Sequence, residues 1–149
     1  MSKRVLVSSL LAVVAVGGIT AGGIAMASAA TDPTLKNGSI RYLPPAGTRA
    51  GTFTYTADAG DDSGVRGLKV IAWPASSKLA PTEAEMREVD SARCVRTSDE
   101  TSRCTYTFKV TEKEAAKAAK GTWNVSALLT AKDGNTLFVA DAGTFVMKD

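Results

Sequence analysis

The sequence predicts one all-β domain, built as a sandwich of two sheets, behind a short N-terminal export signal. Two observations predict this class. Seven segments rich in β-branched and aromatic residues follow one another at regular spacing, and turn residues separate them. Only two short helical motifs interrupt this pattern. The roughly 120 residues behind the signal suffice for one domain with a single hydrophobic core.

The first 30 residues have the pattern of a cleaved signal peptide. Lys3 and Arg4 form a positive start, residues 5–16 form an apolar run, and Ala27-Ser28-Ala29 offers the small residues that a signal peptidase accepts. We therefore predict that residues 1–30 are removed. The working protein is then a secreted, extracellular chain.

A retained membrane anchor is the alternative for the same segment. No charge occurs from Val5 through Thr31, and this stretch is long enough to span a bilayer. Glycine pairs at 17–18 and 22–23 weaken a spanning helix and favour cleavage. We expect no stable membrane insertion of the domain formed by residues 31–149.

The first three predicted strands have clear boundaries. Residues 39–43 form a strand that ends at a proline pair, because proline cannot donate to a ladder. Residues 51–57 alternate strictly, with Phe53 and Tyr55 on one face and threonines on the other. Residues 65–73 form the third strand, which ends before another proline.

Two capping boxes predict short helices in the connections. Thr82 with Glu85 opens a predicted helix over residues 83–89. Thr111 with Glu114 opens a second helix over 112–120, which the following glycine ends.

A stapled hairpin is predicted between these two helices. Cys94 and Cys104 are the only cysteines, and an even count in an exported chain indicates a disulfide. If the turn centres on Asp99, Cys94 opposes Cys104 and Ala92 opposes Tyr106. The chain-entropy model gives such a bridge about 3 kcal/mol of stabilisation.

The last two predicted strands cover residues 122–132 and 136–147. Asp133-Gly134-Asn135 joins them as a tight turn, because Asp-Gly supplies the positive φ that such turns need. A bulge is predicted at residues 141–143. Trp123 falls on the inward face of its strand and is predicted to lie in the core, although a sugar-stacking platform with Trp73 is the alternative.

Seven strands with a hairpin between the fourth and fifth indicate an immunoglobulin-like (Ig-like) sandwich. Asp62-Ser63-Gly64-Val65, Gly121-Thr122-Trp123-Asn124-Val125 and Asp133-Gly134-Asn135 are similar to repeated patterns of bacterial Ig-like domains. The whole chain resembles small secreted actinobacterial proteins of unknown function. The resemblance implies export and a binding or cell-surface role, without an activity.

Composition excludes several functional classes. The chain has no histidine, so Ser-His-Asp and Cys-His catalysis and histidine-bound zinc are impossible. It has 18 basic and 15 acidic residues, and loss of Lys3 and Arg4 with the signal leaves 16 against 15. A nucleic-acid partner needs a denser basic surface. No catalytic constellation is recognisable, and we expect no enzyme.

Acidic residues of two predicted turns suggest a calcium site. In an Ig-like sandwich the loop after the second strand and the loop after the sixth emerge at the same pole. Calcium takes about six to eight oxygen ligands from carboxylates, amides and carbonyls. Ordinary solvated turns are the alternative. The candidate ligands are Asp58, Asp61, Asp62, Asp133 and Asn135.

These features predict a secreted Ig-like binding or structural module, monomeric by default, whose partner is an extracellular protein or a cell-envelope component. One alternative is a secreted enzyme inhibitor that presents the stapled loop 97–101 to a hydrolase. A hydrolase based on two carboxylates is the third possibility.

Overall fold

The computed structural model describes residues 31–148, so the predicted signal peptide at 1–30 lies outside the described residues. Strands dominate this part of the chain, which confirms the predicted all-β class. The elements are β1 (Thr34–Leu43), β2 (Gly51–Gly60), β3 (Val65–Pro74), α1 (Glu83–Met86), β4 (Arg93–Arg96), β5 (Thr101–Val110), α2 (Glu112–Lys117), β6 (Gly121–Ala131) and β7 (Thr136–Met147).

The strands form two antiparallel sheets. One sheet has the order β1-β2-β5-β4 and the other has the order β3-β6-β7. Seven-stranded Ig-like sandwiches divide their strands in this way, with the first, second, fifth and fourth strands on one sheet. The predicted all-β sandwich of seven strands is therefore confirmed.

The core lies between the two sheets, where inward-facing side chains alternate along the strands. On β2 the odd-numbered residues are buried while the threonines between them are half-buried. This is the period-2 pattern expected of a sheet with one buried face. The central cluster comprises Phe53, Tyr55, Ala57, Ala59, Leu68, Val70, Cys104, Val125, Ala127 and Leu129.

Strand β6 is buried on both faces. Leu128 and Ser126 point away from the core cluster, yet both are buried, and α1 packs on that side of β6 with fully buried Met86. The Ser126 hydroxyl accepts a hydrogen bond from Trp73 Nε1 at 3.0 Å and donates one to the carbonyl of Ala140 at 2.7 Å. This polar group is therefore satisfied although it is buried.

Both capping boxes form as predicted, but both helices are shorter than predicted. The first helix ends at Met86 instead of residue 89. The second ends at Lys117 because Ala118 is already extended, with φ −71° and ψ 148°. Each helix makes fewer than two turns, since the chain must return to a sheet within a few residues.

The ladder between β6 and β7 contains the predicted bulge. Val125 pairs with Gly143 and Ala127 pairs with Val139, so three residues of β7 lie opposite one residue of β6. Gly143 has φ +148°, and a Cβ there would lie 2.5 Å from Ile40 Cδ1. The positive φ favours glycine at this position, and any larger residue would also have to displace the end of the Ile40 side chain.

The stapled hairpin pairs as predicted near its turn and differs from the prediction at its base. Cys94 opposes Cys104, and their sulfur atoms lie 2.00 Å apart. The predicted pairing of Ala92 with Tyr106 is wrong. The Ala92 N–H donates instead to the carbonyl of Leu68 at 2.8 Å, and Val70 N–H donates to the carbonyl of Asp90. The chain therefore leaves β3 and joins β5 within a few residues.

Removal of the bridge through Cys94→Ala with Cys104→Ala should lower the free energy of unfolding by about 2 to 4 kcal/mol, because the unfolded chain regains the entropy of an open loop. Urea unfolding and far-ultraviolet circular dichroism measure this. The sheet spectrum should persist, and chemical reduction of the wild-type protein should give a similar loss. A double variant without a sheet spectrum would mean that the bridge is needed to form the sandwich.

Candidate functional site

A gap opens between the two sheets along part of their edges, and we call it the β3–β5 mouth. Strand β4 has only four residues and pairs with residues 102–105 of β5. Within residues 31–148, the stretch 106–110 of β5 therefore has a ladder partner only on the β2 side. On the other sheet, the segment 90–92 bonds to β3 at residues 68–70 but not at 71–74.

A cavity of about 300 Å³ lies behind this mouth. Its lining is mostly aromatic and aliphatic, and comes from both sheets and from the region of α2. The lining residues are Tyr42, Phe53, Ile71, Ala72, Tyr106, Phe108, Val110, Glu114, Ala118, Trp123, Phe145 and Met147.

The inner part of the cavity is a fixed aromatic floor. The ring of Phe145 has its centroid 4.8 Å from that of Phe53, 5.3 Å from that of Tyr42 and 6.0 Å from that of Trp123. Trp123 Nε1 donates a hydrogen bond to the carbonyl of Ala119 at 2.9 Å, which fixes the orientation of the indole. Such contacts restrict ring rotation, so the floor is preorganised.

The rim of the mouth exposes an inward-facing aromatic side chain. Phe108 has the same strand parity as buried Cys104, yet its side chain is 48% exposed, whereas Phe53 is 3% exposed. The exposure arises because no strand covers this half of β5. Phe108 and Tyr106 also line an adjoining notch at the open edge, together with Asp90 and Arg93.

Polar groups are few around the cavity. Glu114 belongs to the lining, and a hydrogen bond from the backbone of Thr111, with a second from its hydroxyl, lowers the pKa of this carboxyl. Glu114 is thus charged and engaged in the helix cap, at 2.8 Å from the Thr111 nitrogen. Burial and the nearby Asp90 carboxylate raise the pKa of Tyr106, which therefore stays neutral at ordinary pH.

The open half of β5 directs defined backbone groups to solvent. The Cα atoms of Cys94 and Cys104 are 3.9 Å apart, which marks a narrow pair without mutual hydrogen bonds. The residues on either side of Cys104 in β5 therefore form hydrogen bonds to β4. On its other edge, β5 pairs with β2 without a bulge as far as Val110. By this alternation, Thr107 and Lys109 point their N–H and C=O groups to the open edge.

The sequence did not predict all the residues of this site. Parity predicts that Trp123 lies in the core; it packs against the buried cluster of Val110, Ala115 and Met147, but it is only half-buried and also lines the cavity. Tyr106 and Phe108 share a strand parity with Cys104, but parity gives no indication that this face of β5 becomes accessible. The usable signal was the unequal length of the two hairpin strands, since a ten-residue β5 cannot be covered by a four-residue β4.

The acidic turns meet at the opposite end of the strands, and we call this group of Asp61, Asp62 and Asp133 the acidic pole. Each residue offers a carboxylate oxygen, and these oxygens lie within 4.8 Å of one another. Asp61 is only 5% exposed, while Asp62 and Asp133 are exposed. The β2–β3 and β6–β7 turns thus converge, as the sequence predicted for an Ig-like arrangement.

Ser63 links the two turns of the acidic pole. Asp61 Oδ1 accepts hydrogen bonds from the Ser63 backbone at 2.9 Å and from its hydroxyl at 2.5 Å. The same hydroxyl accepts the Asp133 N–H at 3.1 Å. The Ser63 hydroxyl is the largest cause that lowers the pKa of Asp61, against the opposing effect of burial. A general acid for hydrolysis requires the opposite shift.

Two of the predicted ligands have other partners. Asp58 lies on the outer face of β2, where it accepts hydrogen bonds from Arg103 Nε at 3.0 Å and Asn37 Nδ2 at 2.9 Å. It is therefore not part of the acidic pole. Asn135 lies next to the pole, but its amide and its backbone N–H donate to the Asp133 carboxylate at 3.0 and 2.9 Å.

The tip of the stapled hairpin is exposed and held by its own hydrogen bonds. Ser98 Oγ accepts from the backbone of Glu100 and Thr101, and Arg96 pairs with Asp99. The carbonyl of Glu100 accepts the Asp61 N–H at 2.9 Å. One side of the tip therefore rests on the β2–β3 turn.

A family model described as a family of unknown function (DUF5707) matches residues 35–129. The chain belongs to this family. The match begins in β1 and ends within β6, so it includes β3, β5 and the hairpin between them. No curated protein and no solved structure matched the chain. None of the helices within residues 31–148 has the length and apolar character needed to cross a membrane.

The ion pair on the outer face gives a pH dependence that can be measured. The hydrogen bond from Asn37, together with the charge and hydrogen bonding of Arg103, lowers the pKa of Asp58 in the folded protein. Stability from this shift is present above the unfolded pKa of about 3.9 and is lost as pH falls through the folded value. Between pH 5 and pH 2, Asp58→Asn should therefore lose less unfolding free energy than wild type.

Urea unfolding at several pH values measures this difference, and Asp141→Asn, at an exposed carboxylate of β7, is the matched control. The control should keep the wild-type pH dependence. Equal slopes for wild type and Asp58→Asn would show that the interactions of Asp58 add nothing to acid sensitivity.

Proposed function

We propose that this protein is a secreted Ig-like binding module that holds an extended segment of an extracellular protein in the β3–β5 mouth. One observation supports this most strongly: the open half-edge of β5 and the apolar cavity of about 300 Å³ lie side by side. The leader sequence and the bonded cysteine pair are compatible with export.

Strand addition uses the backbone groups that the fold leaves free. An extended segment that pairs with β5 can exchange main-chain hydrogen bonds with Thr107 and Lys109. Affinity in this mode comes from the main chain, and specificity comes from pockets that receive alternate side chains.

The cavity provides such a pocket. Its volume is at the small end of the range for ligand sites, so it suits one bulky apolar side chain better than an extended cofactor. The aromatic floor is already fixed by Phe145 and Trp123, and a preorganised site reduces the ordering cost of binding. Phe108 at the rim can pack over the inserted side chain.

The same lining distinguishes this partner class from the others. A cell-wall glycan requires several hydrogen-bonding side chains, whereas the cavity offers few beyond the already engaged Glu114. An inhibitor that acts through residues 97–101 would need a protruding tip, whereas one side of this tip packs on the β2–β3 turn through Glu100. We therefore favour an extended protein segment.

The free edge of β5 has a consequence that requires no ligand. Amide hydrogens of Thr107 and Lys109 should exchange with solvent at least tenfold faster than those of Tyr106 and Phe108, because only the latter two bond to β2. Residue-resolved hydrogen exchange by nuclear magnetic resonance measures these rates. Uniform protection along residues 106–109 would contradict the open edge.

A phage-displayed library of random peptides supplies a ligand for the mouth. Selected peptides should carry one bulky apolar residue among β-forming neighbours, and binding should slow the exchange of Thr107 and Lys109. Phe108→Glu should weaken their binding at least tenfold, because it places a charge at the apolar rim. Isothermal titration calorimetry measures the affinity.

Val146→Glu is the matched control, since Val146 is 52% exposed on β7 and does not line the cavity. It should leave the affinity unchanged. Methylation of every second backbone nitrogen of the peptide should abolish binding when those nitrogens face β5. It should leave binding unchanged when they face away from β5. Peptides that bind Phe108→Glu as tightly as wild type would place the binding surface elsewhere.

A further inference from the structure

The acidic pole gathers negative charge without a lysine or arginine partner among residues 31–148. Asp61, Asp62 and Asp133 bring carboxylate oxygens within 4.8 Å of one another. In the described part of the chain the two ion pairs within 4.0 Å join Arg96 to Asp99 and Arg103 to Asp58, and neither involves the acidic pole. Three carboxylates at this spacing favour a bound cation by simple charge complementarity.

A second, independent observation points to an ion at the same place. Only 5% of Asp61 is exposed to solvent. Its Oδ2 atom is inaccessible and has no hydrogen-bond partner among the described residues. A buried, unpartnered carboxylate oxygen is costly in a folded protein. Asp61 belongs to the cluster of three carboxylates, so a cation held there would satisfy this charge.

We propose that Asp61, Asp62 and Asp133 bind one divalent cation of the calcium class. Calcium–oxygen distances of about 2.3 to 2.6 Å allow two ligands of one ion to lie up to about 5.2 Å apart, which accommodates the 4.8 Å spread of these oxygens. Backbone carbonyls and water supply the remaining oxygens that calcium requires. Asn135 orients the Asp133 carboxylate from the side.

The ion would join the β2–β3 turn to the β6–β7 turn, and hence one sheet to the other. This site lies at the opposite end of the strands from the β3–β5 mouth and shares no residue with it. The proposal therefore stands or falls independently of peptide binding.

Equilibrium dialysis of the purified protein against radioactive calcium tests the proposal directly. One ion should bind per chain, and Asp62→Asn or Asp133→Asn should weaken binding at least tenfold. These exposed positions are chosen because Asp61→Asn acts on a buried group. Asp141→Asn is the control and should bind like wild type. The absence of saturable uptake, or equal uptake by all variants, would overturn the proposal.

Thermal melts give a second readout. At a calcium concentration of about a hundred times the dissociation constant, the Tm should exceed that in chelator by about 10 °C, because the ion binds only the folded chain. Potassium chloride at matched ionic strength should not reproduce the shift. If it does, general screening explains the effect and the specific site is overturned.

The amino terminus of a processed chain is the competing occupant. The Thr31 nitrogen lies 3.4 Å from Asp62 Oδ2, and cleavage after residue 30 would make it an ammonium group. Acetylation of a chain that starts at Thr31 distinguishes the two occupants. A Tm that falls on acetylation, without calcium uptake in either form, would assign the acidic pole to this amino group and overturn the proposal.

Discussion

The rest of the molecule depends on one short backbone connection, in which residues 90–96 pass from one sheet to the other. Ala92 and Asp90 bond to β3, and from Arg93 onward the chain bonds to β5. The adjacent disulfide fixes the end of this connection to β5. Because β4 then has only four residues, the sheets are joined at one end of this edge and open at the other. The cavity is a direct result of the short length of β4.

Local sequence patterns were sufficient to predict the sandwich. Strict alternation around Phe53 and Tyr55 identifies a strand with one buried face, and the capping boxes at Thr82 and Thr111 are built from residues within one turn. The Asp133-Gly134-Asn135 turn and the paired cysteines are similarly local. These features specify the number of strands, and the Ig-like arrangement they indicate puts the two loops at a common pole. The acidic pole followed because loop position in a sandwich follows from topology.

Long-range pairing could not be read from the same patterns. Ala92 has the correct parity to continue the ladder with Tyr106, and only the competing hydrogen bond to Leu68 shows that it does not. Parity likewise places Trp123 on the inner face, but it does not say whether another strand covers that face. The ion pair of Asp58 with Arg103 depends on the register of β2 against β5. In each case the deciding contact is with a residue distant in sequence.

An open strand edge is an aggregation hazard unless the protein restricts what can pair with it. Here the exposed stretch is short, and the outward-facing side chains of Thr107 and Lys109 are exposed and polar or charged. Main-chain pairing over so few residues is weak by itself. In the binding mode we propose, a partner therefore needs the added contact of a side chain inserted among Phe53, Trp123 and Phe145, which only some sequences can provide. In this proposed mode, the edge would supply general affinity, and the aromatic cavity would convert it into selectivity.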